Sequence, residues 1–258
     1  MAVRALIAGV ERTLGCLPRS VPPGTVYPVF GQRGPGRLIP RSEWGQCDWS
    51  HFISRVLDQQ NTGACNAFAS VQAVHMLRAA AGLPYVELSA GNLYGRINGG
   101  RDAGSTLVDA IRELEGRGVC RATLVGHLEW QPHRWPKGWE EDAKRFRVLE
   151  AWDCPTFDHI ASAIQLGFGV NIGILIGTNF TPGSDGWIPE RIGRAGGHAM
   201  CAVGLARKGN IWGVKVVNSW GDKWGRNGFA IIPVSYFHEP VWTDGWAVRV
   251  VVDPEGPE

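Results

Sequence analysis

Apolar residues in the first half of the chain recur mainly at helical spacing. Residues 66–81 form one such pattern, which a glycine and a proline then end. Similar patterns predict helices over residues 107–115, behind the candidate N-caps Ser105 and Thr106, and from residue 156 to about residue 167.

The periodicity changes to that of strands after these segments. Short apolar runs separated by Gly, Asn and Asp predict strands at residues 170–176, 199–205, 212–217, 229–232 and 247–252. Because the predicted helices precede the predicted strands, the order indicates an α+β fold. We expect a helical lobe at about 50–150 and a β lobe at about 151–252, with a cleft between them.

The two ends of the chain differ from this pattern. Residues 1–45 are rich in Pro and Gly and show little periodicity, which predicts an extended N-terminal arm that wraps the surface or contacts a protein partner. Residues 46–252 would form the main domain, and residues 253–258 a short tail.

Composition indicates a globular protein and excludes several partners. Of the 258 residues, 44% are hydrophobic and 19% charged, and the net charge of +2 is dispersed, so a nucleic-acid partner is not expected. No window reaches the roughly 18 apolar residues that cross a membrane. The first residues do not resemble a secretory signal.

The six cysteines are widely spaced and form no CxxC pair, so no metal or other cofactor is predicted. Such cysteines are typical of reduced thiols, which predicts a cytoplasmic or other reducing compartment. Association with a larger particle remains open.

Cys65 is the candidate nucleophile because it opens the first predicted helix. A helix N-terminus favours the reactive thiolate, and the small residues before it, including Gly63, leave room for a substrate carbonyl. Gln59, six residues upstream, can donate its side-chain N–H to the oxyanion that forms, with the Cys65 N–H as the second donor.

His198 and Asn218 are the candidate partners of this thiol. His198 follows Gly197 at the start of an apolar strand, and it can take and return a proton near neutral pH. Asn218 ends another strand and can accept the imidazole N–H, while Trp220 can shield that hydrogen bond from water.

Three segments of the chain together resemble the papain-like (C1) cysteine peptidases. Residues 59–69 resemble the nucleophile segment, residues 197–199 the histidine segment and residues 218–229 the asparagine segment. The histidine lies 133 residues after the cysteine and the asparagine 153 residues after it, close to the spacing of that family. The resemblance implies a helical lobe, an antiparallel β-sheet or barrel lobe, and an active site between them.

The resemblance also predicts where substrate binds. Gly104 and Ser105 fall where the family binds the non-primed side of an extended peptide, and Gly63, Gly197 and Trp220 are expected to line the same cleft.

The chain departs from the family in three places. Asn66 replaces the usual aromatic residue, and Thr62 and Asp102 stand where the family has a disulfide. The first 50 residues also lack the helical pattern of the inhibitory segment of secreted members, so inhibition by that route is not predicted.

The predicted function is therefore a cysteine endopeptidase that cleaves a peptide or protein substrate through a Cys65 thioester, with no cofactor. Two alternatives remain. The chain could be a catalytically silent papain-fold module in a larger assembly, or another thiol acyltransferase such as a peptide ligase.

Overall fold

Helices are concentrated in the first half of the structure and strands in the second. The structure is a computed structural model that describes residues 1–34, 36–239 and 242–251. The helices are α1 (Cys65–Ala80), α2 (Ala90–Asn98), α3 (Leu107–Gly116), α4 (Trp139–Lys144) and α5 (Phe157–Gln165). The strands are β1 (Val3–Ile7), β2 (Val10–Leu14), β3 (Cys47–Asp48), β4 (Val148–Asp153), β5 (Gly169–Ile176), β6 (Gly196–Lys208), β7 (Ile211–Val217), β8 (Phe229–Pro233) and β9 (Asp244–Val251).

The main sheet is antiparallel and has the order β4-β9-β5-β6-β7-β8, with β3 paired to β6. The long strand β6 lies between β5 and β7. His198 lies near the start of β6, and Asn218 follows the end of β7, so the sheet brings these two residues together.

Two large apolar clusters fill most of the fold, beside a small third one around Cys120 and Val125. One lies between α5 and the sheet, and the other joins α1, α2 and α3 to the sheet. Helix α1 is buried on nearly all sides, and its polar Ser70 reaches β5, where Asn171 Nδ2 donates to Ser70 Oγ at 2.8 Å. The α+β class predicted from the sequence is confirmed.

Helix α3 shows why some elements could be predicted well. Its N-cap Thr106 and Asp109 form a capping box, and its apolar residues face the core.

Helix α2 was not predicted, because Gly91 and Gly95 weaken its pattern. A Cβ atom at Gly91 would lie 2.3 Å from Gly126 O, and one at Gly95 would lie 2.5 Å from Trp130 O. These glycines permit close packing of a loop.

The N-terminal arm is not extended throughout. Strands β1 and β2 form a hairpin whose turn residues, Ala8 and Gly9, have φ values of 47° and 81°.

Strand β4 was also absent from the prediction. The predicted tail at 253–258 and the last residue of the strand predicted at 247–252 lie outside the described residues. Among the described residues, no helix is long and apolar enough to span a membrane.

Candidate active site

Cys65 is the first residue of α1 and is fully buried. Burial raises the pKa of its thiol above the ordinary value. Nearby backbone N–H groups, among them those of Ala199, Gly15 and Cys16, partly offset this effect. Gly15 and Cys16 belong to the N-terminal arm, so the arm lies close to the sulfur.

His198 is fully buried on β6, and its Nε2 lies 2.7 Å from Asn218 Oδ1. The ring of Trp220 stacks on the imidazole with a centroid distance of 4.6 Å. Burial lowers the pKa of His198 to about 4, against a raising effect of the Asn218 hydrogen bond, and the charge of Arg12 lowers it further. Its Nδ1 has no hydrogen-bond partner among the described residues.

Gln59 is fully buried, and its amide orientation is fixed by the β lobe. Its Oε1 accepts from Ser219 Oγ at 2.6 Å, so its Nε2 points toward the nucleophile segment. Nε2 donates to Thr62 O at 2.6 Å and to Thr13 O at 3.0 Å. A carbonyl of the arm therefore occupies one N–H of the predicted oxyanion donor.

The arm continues from β2 through the cleft. The Ser105 N–H donates to Gly15 O at 2.8 Å, and the Leu17 N–H donates to Ser105 O at 3.0 Å. On the opposite wall, the Cys16 N–H donates to Gly197 O at 3.2 Å. The arm does not only wrap the surface, because residues 13–17 fill the groove between the predicted subsites.

Glycines on both walls permit this close contact. A Cβ atom at Gly15 would lie 1.8 Å from Gly63 O. One at Gly104 would lie 2.5 Å from Gly15 O, and one at Gly197 would lie 2.2 Å from Cys16 O. Three of the glycines expected to contact substrate therefore contact the backbone of the arm.

Trp220 has a different position from these glycines. Arg12 of the arm lies over its indole ring, 4.9 Å from the centroid, and its other contacts include His198. The Trp220 indole therefore covers the His198 imidazole and lies between that ring and Arg12 of the arm.

The arm crosses the cleft in the direction opposite to that expected of a substrate. Thr13 lies at the oxyanion donor, and residues 15–17, which follow it, pair with Ser105. If Ser105 lines the non-primed side, as the resemblance implies, a substrate residue there precedes the carbonyl that is attacked. The arm therefore occupies the cleft without presenting a bond as a substrate would.

Polar contacts join the two loops that a disulfide joins in the related family. Asp102 Oδ1 accepts from the Gly63 N–H at 2.8 Å and from the Tyr94 hydroxyl at 2.6 Å. Asn66, the other departure, donates from Nδ2 to Ser105 Oγ at 3.0 Å. All six cysteines are described, and all are free thiols.

Arg19 is a contact that the sequence did not single out. Its guanidinium binds Asp153 through two hydrogen bonds of 2.9 and 2.5 Å, and its Nη2 lies 2.6 Å from Asp244 Oδ1. Burial raises the pKa of Asp244 to about 6, although the charge of Arg19 lowers it. No local pattern distinguishes this arginine, because both of its partners lie more than a hundred residues away.

Comparisons with known proteins give a consistent result. A family model described as papain family cysteine protease matches residues 42–236. A curated relative, the uncharacterized peptidase C1-like protein L477 of Acanthamoeba polyphaga mimivirus, is 35% identical over 173 residues, which cover 59% of this chain and 54% of the relative. The chain thus spans about half the length of that relative.

Solved structures show the same fold at low sequence identity. Xylellain, a cysteine protease from Xylella fastidiosa, superposes with a TM-score of 0.75 at 21% identity, over 92% of this chain and 96% of that one. ProCathepsin B S9 from Trypanosoma congolense gives a TM-score of 0.71 at 14% identity, over 92% and 85% of the two chains.

Proposed function

Because the chain belongs to the papain family of cysteine proteases, we propose that it hydrolyses peptide bonds in a peptide or protein substrate through a thioester on Cys65. The observation that carries this proposal is the arrangement of the cleft. Residues 13–17 contact Gly63, two residues before Cys65, and Gly197, next to His198, and they also contact the Gln59 amide. Segments that carry all the catalytic groups therefore line one groove.

The reaction begins when His198 takes the proton of the Cys65 thiol and the sulfur attacks the substrate carbonyl carbon. Gln59 Nε2 and the Cys65 N–H stabilise the resulting oxyanion. His198 then gives its proton to the leaving amine, and the C–N bond breaks to leave the thioester. In the second step His198 takes a proton from water, which attacks the thioester, releases the acid and restores the thiol. Asn218 is a positioning residue, since it acts by orienting the imidazole.

We propose that the arrangement with residues 13–17 in the cleft is latent. The arm fills the groove, and its Thr13 carbonyl accepts a hydrogen bond from the Gln59 amide. Burial also favours the neutral thiol and the neutral imidazole, because it raises the pKa of Cys65 and lowers the pKa of His198. Activity then requires that the arm leave the cleft.

Each of the two alternatives predicts an outcome that differs from hydrolysis. A silent module would not form a thioester, and a peptide ligase would resolve the thioester with an amine in place of water. The retention of all four groups, Gln59, Cys65, His198 and Asn218, favours an active enzyme. The free thiols also support the prediction of a reducing compartment, which localisation of the tagged full chain would test.

Incubation of the full chain with a peptide library, in parallel with Cys65→Ala, tests the hydrolase proposal. We expect hydrolysed products, found by mass spectrometry, that depend on Cys65 and that increase when the arm is displaced. Absence of a Cys65-dependent product from a folded chain with a displaced arm would overturn the proposal. Ligated products without hydrolysis would favour the ligase.

A further inference from the structure

The side chain of Arg19 is almost completely buried, with 8% of its surface exposed. Its guanidinium forms a two-pronged contact with the carboxylate of Asp153 and a third contact with Asp244. The ring of Trp246 lies beneath the guanidinium, 5.5 Å from its carbon. We call this arrangement, made by Asp153, Asp244 and Trp246, the guanidinium pocket.

The guanidinium pocket lies at the end of a row of residues that starts beside His198, the candidate base. Ala199 follows His198 on β6 and pairs with Gly173, and Gly173 pairs with Asp244. Because adjacent strands are about 4.8 Å apart, Asp244 lies roughly 10 Å along this row from Ala199. This is within reach of a long side chain on a peptide in the cleft.

Gly173 has no side chain, so the space between this row of residues and the cleft is not blocked by one. A Cβ atom at Gly173 would lie 2.9 Å from Cys16 Sγ of the arm. The space next to the nucleophile is therefore filled by an arm side chain that points over Gly173, and the arm then continues to Arg19. A bound peptide can occupy the same space once the arm has left.

Contacts outside residues 13–19 hold the two carboxylates in place. Asp153 pairs with Trp246 across β4 and β9, and its Oδ2 accepts from the Gly24 N–H at 2.9 Å. Asp244 Oδ1 accepts from Trp246 Nε1 at 3.0 Å. Departure of Arg19 therefore leaves two neighbouring buried carboxylates without their cation, which is unfavourable unless another cation replaces it.

We propose that the guanidinium pocket is a specificity pocket for an arginine side chain of the substrate, and that Arg19 occupies it in the latent arrangement. This inference rests on the proposed function. A planar guanidinium matches the two-pronged contact with Asp153, whereas the ammonium of lysine is a single point of charge, so arginine is preferred to lysine.

The first test measures the pocket without any enzymatic reaction. In the full-length Arg19→Ala chain, N-ethylguanidinium replaces the missing atoms and should raise the melting temperature in a saturable way. The uncharged N-ethylurea should not. Asp244→Asn in the same background should abolish the shift. Asp185→Asn, at a carboxylate that pairs with Lys208 on the surface, should preserve it. Equal shifts with both compounds, or no shift in a folded chain, would overturn the proposal.

The second test measures selectivity in the full-length Arg19→Ala chain. Matched peptides carry Arg, Lys or citrulline at each of the second to fourth positions before the scissile bond. We expect kcat/KM for Arg to exceed that for citrulline by about tenfold or more at one position. This ratio should fall toward one in the Asp244→Asn variant but not in the Asp185→Asn variant.

The outcomes separate the two proposals. Hydrolysis of the Arg and citrulline peptides at equal rates would overturn the specificity pocket while supporting the peptidase. If no peptide is cleaved and Cys65 stays unlabelled by thiol-reactive peptides even in a folded chain whose arm has been displaced, the proposed function fails. The N-ethylguanidinium titration then still decides whether the pocket binds a guanidinium.

Discussion

Replacement of Gly15 by alanine should displace the arm from the cleft. The backbone of Gly15 needs no positive φ, so alanine is acceptable there in an open chain. In the closed arrangement, however, the new Cβ atom would lie 1.8 Å from Gly63 O, whereas separations below 3.0 Å are essentially never seen. The arm must therefore move by more than about 1 Å.

The hydrogen bonds of the arm set the size of the effect. Movement of Gly15 breaks three backbone hydrogen bonds, Ser105 N to Gly15 O, Leu17 N to Ser105 O and Cys16 N to Gly197 O. At about 0.5–1.5 kcal/mol each, their loss weakens closure by about 1.5–4.5 kcal/mol. The open population should therefore rise by roughly 10- to 2000-fold.

The rate at which an epoxide or chloromethyl ketone alkylates Cys65, measured by mass spectrometry, reports this population. We expect faster labelling of Cys65 in Gly15→Ala than in the unaltered chain, and unchanged labelling of the buried Cys120 and Cys201. Gly45→Ala is the matched control, because a Cβ atom there meets nothing within 4 Å. If folded Gly15→Ala is labelled no faster than Gly45→Ala, closure by the arm does not limit access to the thiol.

Three further predictions concern the cleft and its support. In the Gly15→Ala background, Gln59→Ala should lower kcat by about 100- to 1000-fold with a smaller effect on KM, because one oxyanion donor is lost. Equal losses in peptide binding and in kcat would argue against that role. In the unaltered chain, acid should promote opening. Burial lowers the pKa of His198 to about 4, so the neutral imidazole that the closed cleft favours is lost as the pH falls from about 6.5 toward 4. Hydrogen exchange of the Leu17 amide should show this, and a flat profile would refute it. Asp102→Ala should lower the free energy of unfolding by about 1–3 kcal/mol, because the Gly63 N–H loses its acceptor; denaturant unfolding that matches the unaltered chain would contradict this.

The residues of the candidate site could be singled out because each lies in a short, characteristic segment. Cys65 opens a helix with clear periodicity, and His198 and Asn218 lie near the ends of apolar strands. These are local signals. The sheet then brings the segments together, since β6 and β7 pair directly. Family membership and the α+β fold followed from the same segments.

The position of the arm could not be predicted in this way. Gly15 is one glycine among 35, and its importance comes from contacts with Gly63, Ser105 and Gly197, which are far apart in sequence. Pairing between such distant segments depends on their approach in the folded chain and leaves no period in the sequence. The composition rich in Pro and Gly predicted an extended arm that wraps the surface or contacts a partner, whereas Gly15, Gly63, Gly104 and Gly197 permit close packing of the arm in the cleft. Arg19 was missed for the same reason.

In the latent arrangement that we propose, blocked access to the cleft and suppressed chemistry are consequences of one event, the binding of the arm. When residues 13–17 bind, they exclude a peptide from the groove, and they also remove Cys65 and His198 from solvent. Burial disfavours the thiolate–imidazolium pair, so the closed chain is both inaccessible and less reactive. Departure of the arm reverses both effects without a separate activating change. It also removes Arg19 from between Asp153 and Asp244. The event that exposes the nucleophile therefore also exposes the pocket that would select the substrate.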